Sequence, residues 1–191
     1  MRLFGTDGIR GKVNKYPLTA ESILKLSKAA AIVLSKKTSI NRVVVNKDTR
    51  LSGYMFEPAI TAGLISMGMD VILVGPLPTP ALSLLGKSLR ADFSIMITAS
   101  HNPYQDNGLK FFNSNGLKIT LEEEKKIEDL FFNYDFENHA LEENHDFENH
   151  DFKQHDFTNH DFANRDFINP QKPLCNVLKG QDSPMRYICL G

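Results

Sequence analysis

The chain has 191 residues, 41% hydrophobic and 24% charged, with a formal net charge of −1 and two cysteines, which is room for one domain with an appendage. Cys175 and Cys189 fit no zinc or redox spacing, no run approaches about 18 uninterrupted apolar residues, and the start lacks the order of a signal peptide. Neither a membrane nor a nucleic acid is expected as partner, and the cytosol is the expected compartment.

Phe4-Gly5-Thr6-Asp7-Gly8-Ile9-Arg10-Gly11 opens the chain with glycines that punctuate a strand. Leu18 to Ser35 reads as a helix: Thr19 is a candidate cap, and Ile23, Leu24, Leu26, Ala30 and Val33 recur near the helical period. Arg42 to Asn46 is a β-branched run suited to a buried strand, ending at Asp48-Thr49-Arg50. Ser52 to Met67 predicts a second helix stopped by Gly68, with Pro58 favouring a true start near Glu57. Val71 to Val74 is the next strand, closed by Gly75-Pro76. Thr79 is expected to cap a helix to about Arg90, with Pro80 at its first position.

Phe93 to Ile97 reads as another strand. Leu109 to Phe112 and Gly116 to Ile119 then flank Asn113-Ser114-Asn115-Gly116, whose Asn-Gly pair signals a tight hairpin. A last helix is expected from Thr120 to about Phe132, opened by Glu122, Glu123 and Glu124. The alternation predicts a layered α/β domain over residues 1–132, enough chain and strands to bury a real core.

Beyond Phe132 the character changes. Residues 1–132 carry a net charge of about +5 and residues 133–191 about −6. Asp146-Phe147, Asp151-Phe152, Asp156-Phe157, Asp161-Phe162 and Asp166-Phe167 recur every five residues, and His145, His150, His155 and His160 directly precede four of these pairs. A pentapeptide β-helix wants small residues where these histidines and Arg165 stand, and the run is short for a solenoid. A histidine metal tract is a second reading, but period five puts the ligands on no common face. A low-complexity segment over 133–169 without a packed core is the favoured one. Residues 170–191 show no period and are expected to be an unstructured tail.

The stretch richest in chemistry is Thr98-Ala99-Ser100-His101-Asn102-Pro103, followed by Asn107-Gly108-Leu109-Lys110. It sets a hydroxyl beside an imidazole at the carboxyl end of a strand, the edge where open α/β sheets bind ligands. A serine there can act as a covalent relay. Taken alone, the same residues also suit an ordinary turn, with Asn102 and Pro103 supplying turn chemistry and Ser100 a local cap. Asp48 and Arg50 could likewise be a surface pair worth little.

Together, the segments at residues 4–11, at Asp48-Thr49-Arg50-Leu51-Ser52-Gly53 and at residues 98–112 resemble the bacterial phosphoglucosamine mutases within the α-D-phosphohexomutase family. The resemblance implies an α/β fold, a three-layer α/β/α domain with a mixed, mostly parallel sheet; composition, not the resemblance, adds the low-complexity disordered tail. It implies isomerase chemistry that interconverts glucosamine 6-phosphate and glucosamine 1-phosphate through a phosphoserine and a bisphosphate intermediate. Ser100 would be the phosphoserine, Arg10 would neutralise its charge, and His101 and Lys110 would line the site as acid/base or as positive charge. Asp48 and Arg50 would hold neighbouring loops together. A phosphosugar substrate, a homodimer and Mg2+ are implied as partners and cofactor, the metal reaching Ser100 through its phosphate.

The family's Asp-Gly-Asp-x-Asp-Arg magnesium ligands do not occur in this chain, and the resemblance covers its first domain of four. The chain therefore reads as a truncated product, inactive alone. The alternative is a non-catalytic module that binds phosphosugars or a protein partner.

Overall fold

A computed structural model describes residues 2–36 and 41–136 and the backbone of residues 185–187. The chain divides into two units, Met1–Tyr134 with Gly180–Gly191, and Asp135–Lys179. Of the second unit only Asp135 and Phe136 are described, so the expectations for residues 137–169 and nearly all of 170–191 lie outside the described residues.

The first unit is built on a six-stranded sheet: β1 (Ile9–Lys12), β2 (Arg42–Lys47), β3 (Asp70–Pro76), β4 (Phe93–Ile97), β5 (Asp106–Asn113) and β6 (Met185–Tyr187), in the order β1-β5-β4-β2-β3-β6. β2 pairs in parallel with β3 and β4, and β3 with β6. β5 runs antiparallel to both β4 and β1. The sheet is thus mixed and mostly parallel. Four helices complete it: α1 (Ala20–Leu34), α2 (Gly53–Ile65), α3 (Thr79–Ser88) and α4 (Leu121–Asn133).

Strand alternation decides which helix covers which face. Val44, Ile72 and Met96 share one face and pack with Leu82 and Leu85 of α3 and with Leu89 just past its end. Val43, Val45, Val71, Leu73, Phe93 and Ile95 point the other way, all buried. On that side α1 packs on both α2 and α4. The result is three layers, α/β/α. Each fully buried aliphatic or aromatic side chain contributes about 1.5–3 kcal/mol, and β4 is buried along its whole length.

Several boundaries follow the sequence. Thr19 caps α1 by accepting from the Ser22 amide at 3.3 Å. Thr120 caps α4 in a full capping box with Glu123. Others depart from it. α2 starts at Gly53, not near Glu57, and Pro58 lies inside it. The carbonyl that Pro58 deprives of a partner belongs to Tyr54, which is exposed, so water can serve it. Thr79 does not cap α3. Pro78 holds the cap position without a side-chain bond, and the buried Asn46 amide fixes this corner by bonding both the carbonyl and the amide of Leu77. The Asn115-Gly116 turn forms, with the Gly116 amide donating to the Asn113 carbonyl at 2.8 Å. Its second arm is a single bridge, Phe112 to Lys118, and not a strand.

Met185–Tyr187 adds a strand where none was expected. It lies in parallel beside β3, an edge that would otherwise leave a row of backbone donors and acceptors unpaired.

Candidate functional site

The parallel strands β2 and β4 end side by side, with Lys47 opposite Ile97. Their carboxyl ends release Asp48-Thr49-Arg50 and the loop 98–105. That loop joins β4 to β5 as the connection of an antiparallel pair, since Ile97 faces Leu109 in register. Two motifs 50 residues apart in sequence therefore meet at the edge where such sheets bind ligands.

Arg50 is the hub. Its Nε donates to Asp48 Oδ2 at 3.0 Å. Nη1 donates to the carbonyls of Pro103 (2.7 Å) and Asp106 (3.0 Å), and Nη2 to those of Ser100 (2.9 Å) and Asn102 (2.9 Å). A guanidinium has five N–H donors, and all five are used. No donor is left for a ligand, so Arg50 is a clamp on the serine loop. Asp48 completes it by accepting the Thr98 hydroxyl at 2.8 Å and the Arg50 amide at 3.0 Å.

Within the clamp Ser100 has φ +57°, a left-handed conformation that costs a non-glycine residue about 1 kcal/mol or more. Its amide donates to Thr98 Oγ1 at 3.0 Å. Its own hydroxyl is exposed, 3.4 Å from His101 Nδ1. The backbone is thus tied down while the side chain is left to solvent.

Arg10 and Lys110 reach this corner from the sheet itself. Arg10 on β1 lies opposite Gly108 on β5, and Gly108 accepts the Thr98 amide at 2.9 Å. A Cβ at Gly108 would stand 2.9 Å from Arg10 Cγ and 2.4 Å from the Ile9 carbonyl oxygen, so the missing side chain is what lets Arg10 cross the strand. Lys110 lies two residues further along β5, on the same face. Both cations meet Asp7: Arg10 Nη2 at 2.7 Å and Lys110 Nζ at 3.5 Å, on the same oxygen, Oδ2.

The four residues singled out in the sequence therefore form two pairs, Ser100 with His101 and Arg10 with Lys110, linked through Thr98 and Gly108. Three contributors escaped sequence reasoning. Asp7 lies inside the amino-terminal motif, and its spacing of three from Arg10 is the available signal. Thr98 fixes the Ser100 amide from two residues away, a local pattern common for threonine. The fasteners of the amino-terminal loop had no local signal. Glu128 Oε1 accepts the amides of Leu3 (2.7 Å) and Phe4 (2.8 Å), and Lys118 Nζ donates to the Thr6 carbonyl at 2.7 Å while pairing with buried Glu124 at 2.8 Å.

A cavity of about 160 Å³ adjoins the Asp7–Lys110 pair and is also lined by Gly8, Thr79, Lys118 and Glu124. No group of three potential metal ligands occurs among the described residues. The carboxylates of this corner are engaged, Asp48 by Arg50 and Thr98, Asp7 by two cations, and Asp106 by the Asn102 amide at 3.0 Å. The described residues alone do not fit a divalent ion.

Arg50→Ala is expected to cost about 2–3 kcal/mol, less than five charge-assisted bonds would suggest because freed loop carbonyls can rehydrate. Urea unfolding and limited proteolysis within residues 98–106 check this. Arg50→Lys should release the loop as well, since one ammonium cannot span four carbonyls.

Residues 1–138 match the family described as phosphoglucomutase/phosphomannomutase, alpha/beta/alpha domain I. The phosphoglucosamine mutase of Granulibacter bethesdensis is 57% identical over 129 residues, covering 68% of this chain and 28% of that protein. That of Nitratidesulfovibrio vulgaris is 54% identical over 136 residues, covering 71% and 30%. The crystal structure of a phosphoglucomutase/phosphomannomutase family protein from Burkholderia thailandensis aligns with a TM-score of 0.60 at 30% identity, over 68% of this chain and 30% of that one. The chain spans less than a third of the length of these relatives.

Proposed function

The chain belongs to the phosphoglucomutase/phosphomannomutase family, and on that premise we propose that it supplies the phosphoserine domain of a mutase that interconverts glucosamine 6-phosphate and glucosamine 1-phosphate. Relatives more than half identical carry the name phosphoglucosamine mutase, which supports the amino-sugar substrate. The observation that carries the reading is Ser100 itself: an exposed hydroxyl on a strained residue, held by a five-bond clamp. Strain at a site that the surroundings over-determine points to function.

In the proposed chemistry phosphorylated Ser100 gives its phosphoryl group to the free sugar hydroxyl. The Oγ–P bond breaks as a sugar O–P bond forms, His101 takes the sugar hydroxyl proton, and the freed Ser100 Oγ takes up a proton in turn. The bisphosphate then turns, and Ser100 Oγ takes the other phosphoryl group back. Such transfer depends on positioning and on neutralising charge. Arg10, with Nη2 on Asp7 and a buried Nε lacking a partner among the described residues, and Lys110 are the cations placed for that. Arg50 is saturated and contributes only rigidity.

Mg2+ belongs to this proposal only through the Ser100 phosphate. Its carboxylate ligands would have to come from beyond the described residues, so the chain alone is proposed to bind phosphosugar without turnover. A homodimer remains part of the proposal. No helix among the described residues is long and apolar enough to cross a membrane.

The test joins residues 1–132 to the remaining segment of the Granulibacter enzyme. The fusion is expected to interconvert the two glucosamine phosphates and to carry phosphate on Ser100 by mass spectrometry. The unjoined chain should do neither at a comparable rate. A folded fusion that binds substrate but never phosphorylates Ser100 would favour the binding module.

A further inference from the structure

We infer that Asp7 is a positioning residue that occupies the anion place between Arg10 and Lys110 and must yield it to a phosphoryl group. This rests on the phosphoserine reading above and deepens it. Arg10 and Lys110 are cations whose side chains are only 21% and 19% exposed. Two such charges on one sheet face repel each other and are poorly hydrated, so an anion between them is needed when the site holds no phosphate. Asp7 Oδ2 meets both, at 2.7 and 3.5 Å.

The contrast with Arg50 identifies this carboxylate as exchangeable. Arg50 is saturated by five protein acceptors. Arg10 gives one bond, from Nη2 to Asp7, and its Nε has no partner among the described residues. Asp7 accepts no other hydrogen bond among the described residues and its side chain is 60% exposed. It holds the cations without being held by anything else. The cavity beside it, lined also by Lys110 and Lys118, gives the displaced carboxylate room to turn while staying near positive charge. An arriving phosphoryl group offers more oxygens and more charge than a carboxylate, so both cations transfer to it.

Asp7 thus does two opposed things. It keeps Arg10 and Lys110 preorganised in the empty site, and it lowers their net affinity for any anion. A residue of that kind favours turnover over tight capture.

The test is binding of inorganic phosphate to the full chain, by calorimetry or phosphorus NMR, at low and at physiological ionic strength. Asp7→Asn preserves shape and removes charge. It should tighten phosphate binding about three- to tenfold at low salt, with the gain shrinking as salt screens an exposed charge. A fold lesion could only weaken binding, so the direction is diagnostic. If Asp7→Asn leaves affinity unchanged or lowers it while Arg10→Gln and Lys110→Gln each weaken it, Asp7 is mere scaffold and this inference fails with the phosphoserine reading intact. If neither Arg10→Gln nor Lys110→Gln affects phosphate binding, or if no variant binds it, the site assignment fails and Asp7's role with it.

Discussion

Replacing Ser100 with alanine in the completed mutase is expected to lower turnover by roughly 10⁴-fold or more, the scale on which covalent nucleophiles act when removed. The fold should hardly notice. Ser100 is exposed, and its hydroxyl meets only His101, at a marginal 3.4 Å. The amide and carbonyl bonds to Thr98 and Arg50 belong to the backbone and survive the change. Turnover and thermal stability, measured on the same preparation, should therefore separate completely.

Ser100→Gly sharpens the comparison. Glycine adopts φ +57° without the cost that serine bears, so this variant should be more stable than the parent by about 1 kcal/mol, yet equally inactive. A stability gain bought by loss of activity is the signature of a residue chosen for chemistry. If Ser100→Gly lowered stability, the strain argument would be wrong. If Ser100→Ala kept normal turnover, the relay would lie elsewhere.

Gly8→Ala carries the largest expected structural effect. Gly8 has φ +85°, and a Cβ built there stands 2.2 Å from the Leu109 carbonyl oxygen, 3.1 Å from its carbon and 3.2 Å from Lys110 Cα. All three are backbone atoms of β5, so no side-chain rotation relieves the contact. β1 would have to move off β5, breaking the pairs Ile9–Leu109 and Arg10–Gly108 and carrying Arg10 away from the serine loop. Combined with the left-handed conformation, this should cost about 3–5 kcal/mol in urea unfolding, among the larger single-residue effects. Gly68→Ala is the internal control. Gly68 has φ +73° but nothing within 4 Å of its Cβ position, so it should lose only about 1 kcal/mol. Equal losses at the two positions would mean that conformation alone, and not the approach of β5, explains Gly8.

Local pattern carries far in this chain. The β-branched run of β2 and the apolar run of β4 announce buried parallel strands, because burial on both faces removes any need for polar alternation. Thr19 and Thr120 mark helix starts because a cap satisfies amides two or three residues away. Ser100, His101, Arg10 and Lys110 were all visible as motif residues. The misread positions share one cause. Pro58 and Thr79 follow sound local rules, but the exposure of Tyr54 and the reach of Asn46 to Leu77 lie outside any local window. β6 was invisible for the same reason, since pairing with β3 over more than 100 residues leaves no period in the sequence.

The residues that offer chemistry, the two surfaces of the sheet and two of the four helix starts are encoded over a few neighbouring positions, where periodicity and capping operate. What each charged side chain does with its charge is not. Arg10 and Arg50 look alike as letters in glycine-bearing motifs. Folding surrounds one with five acceptors and leaves the other with a single exposed carboxylate. Hydrogen-bond saturation depends on which distant backbone carbonyls arrive, and that arrangement exists only once β1, β2, β4 and β5 have come together.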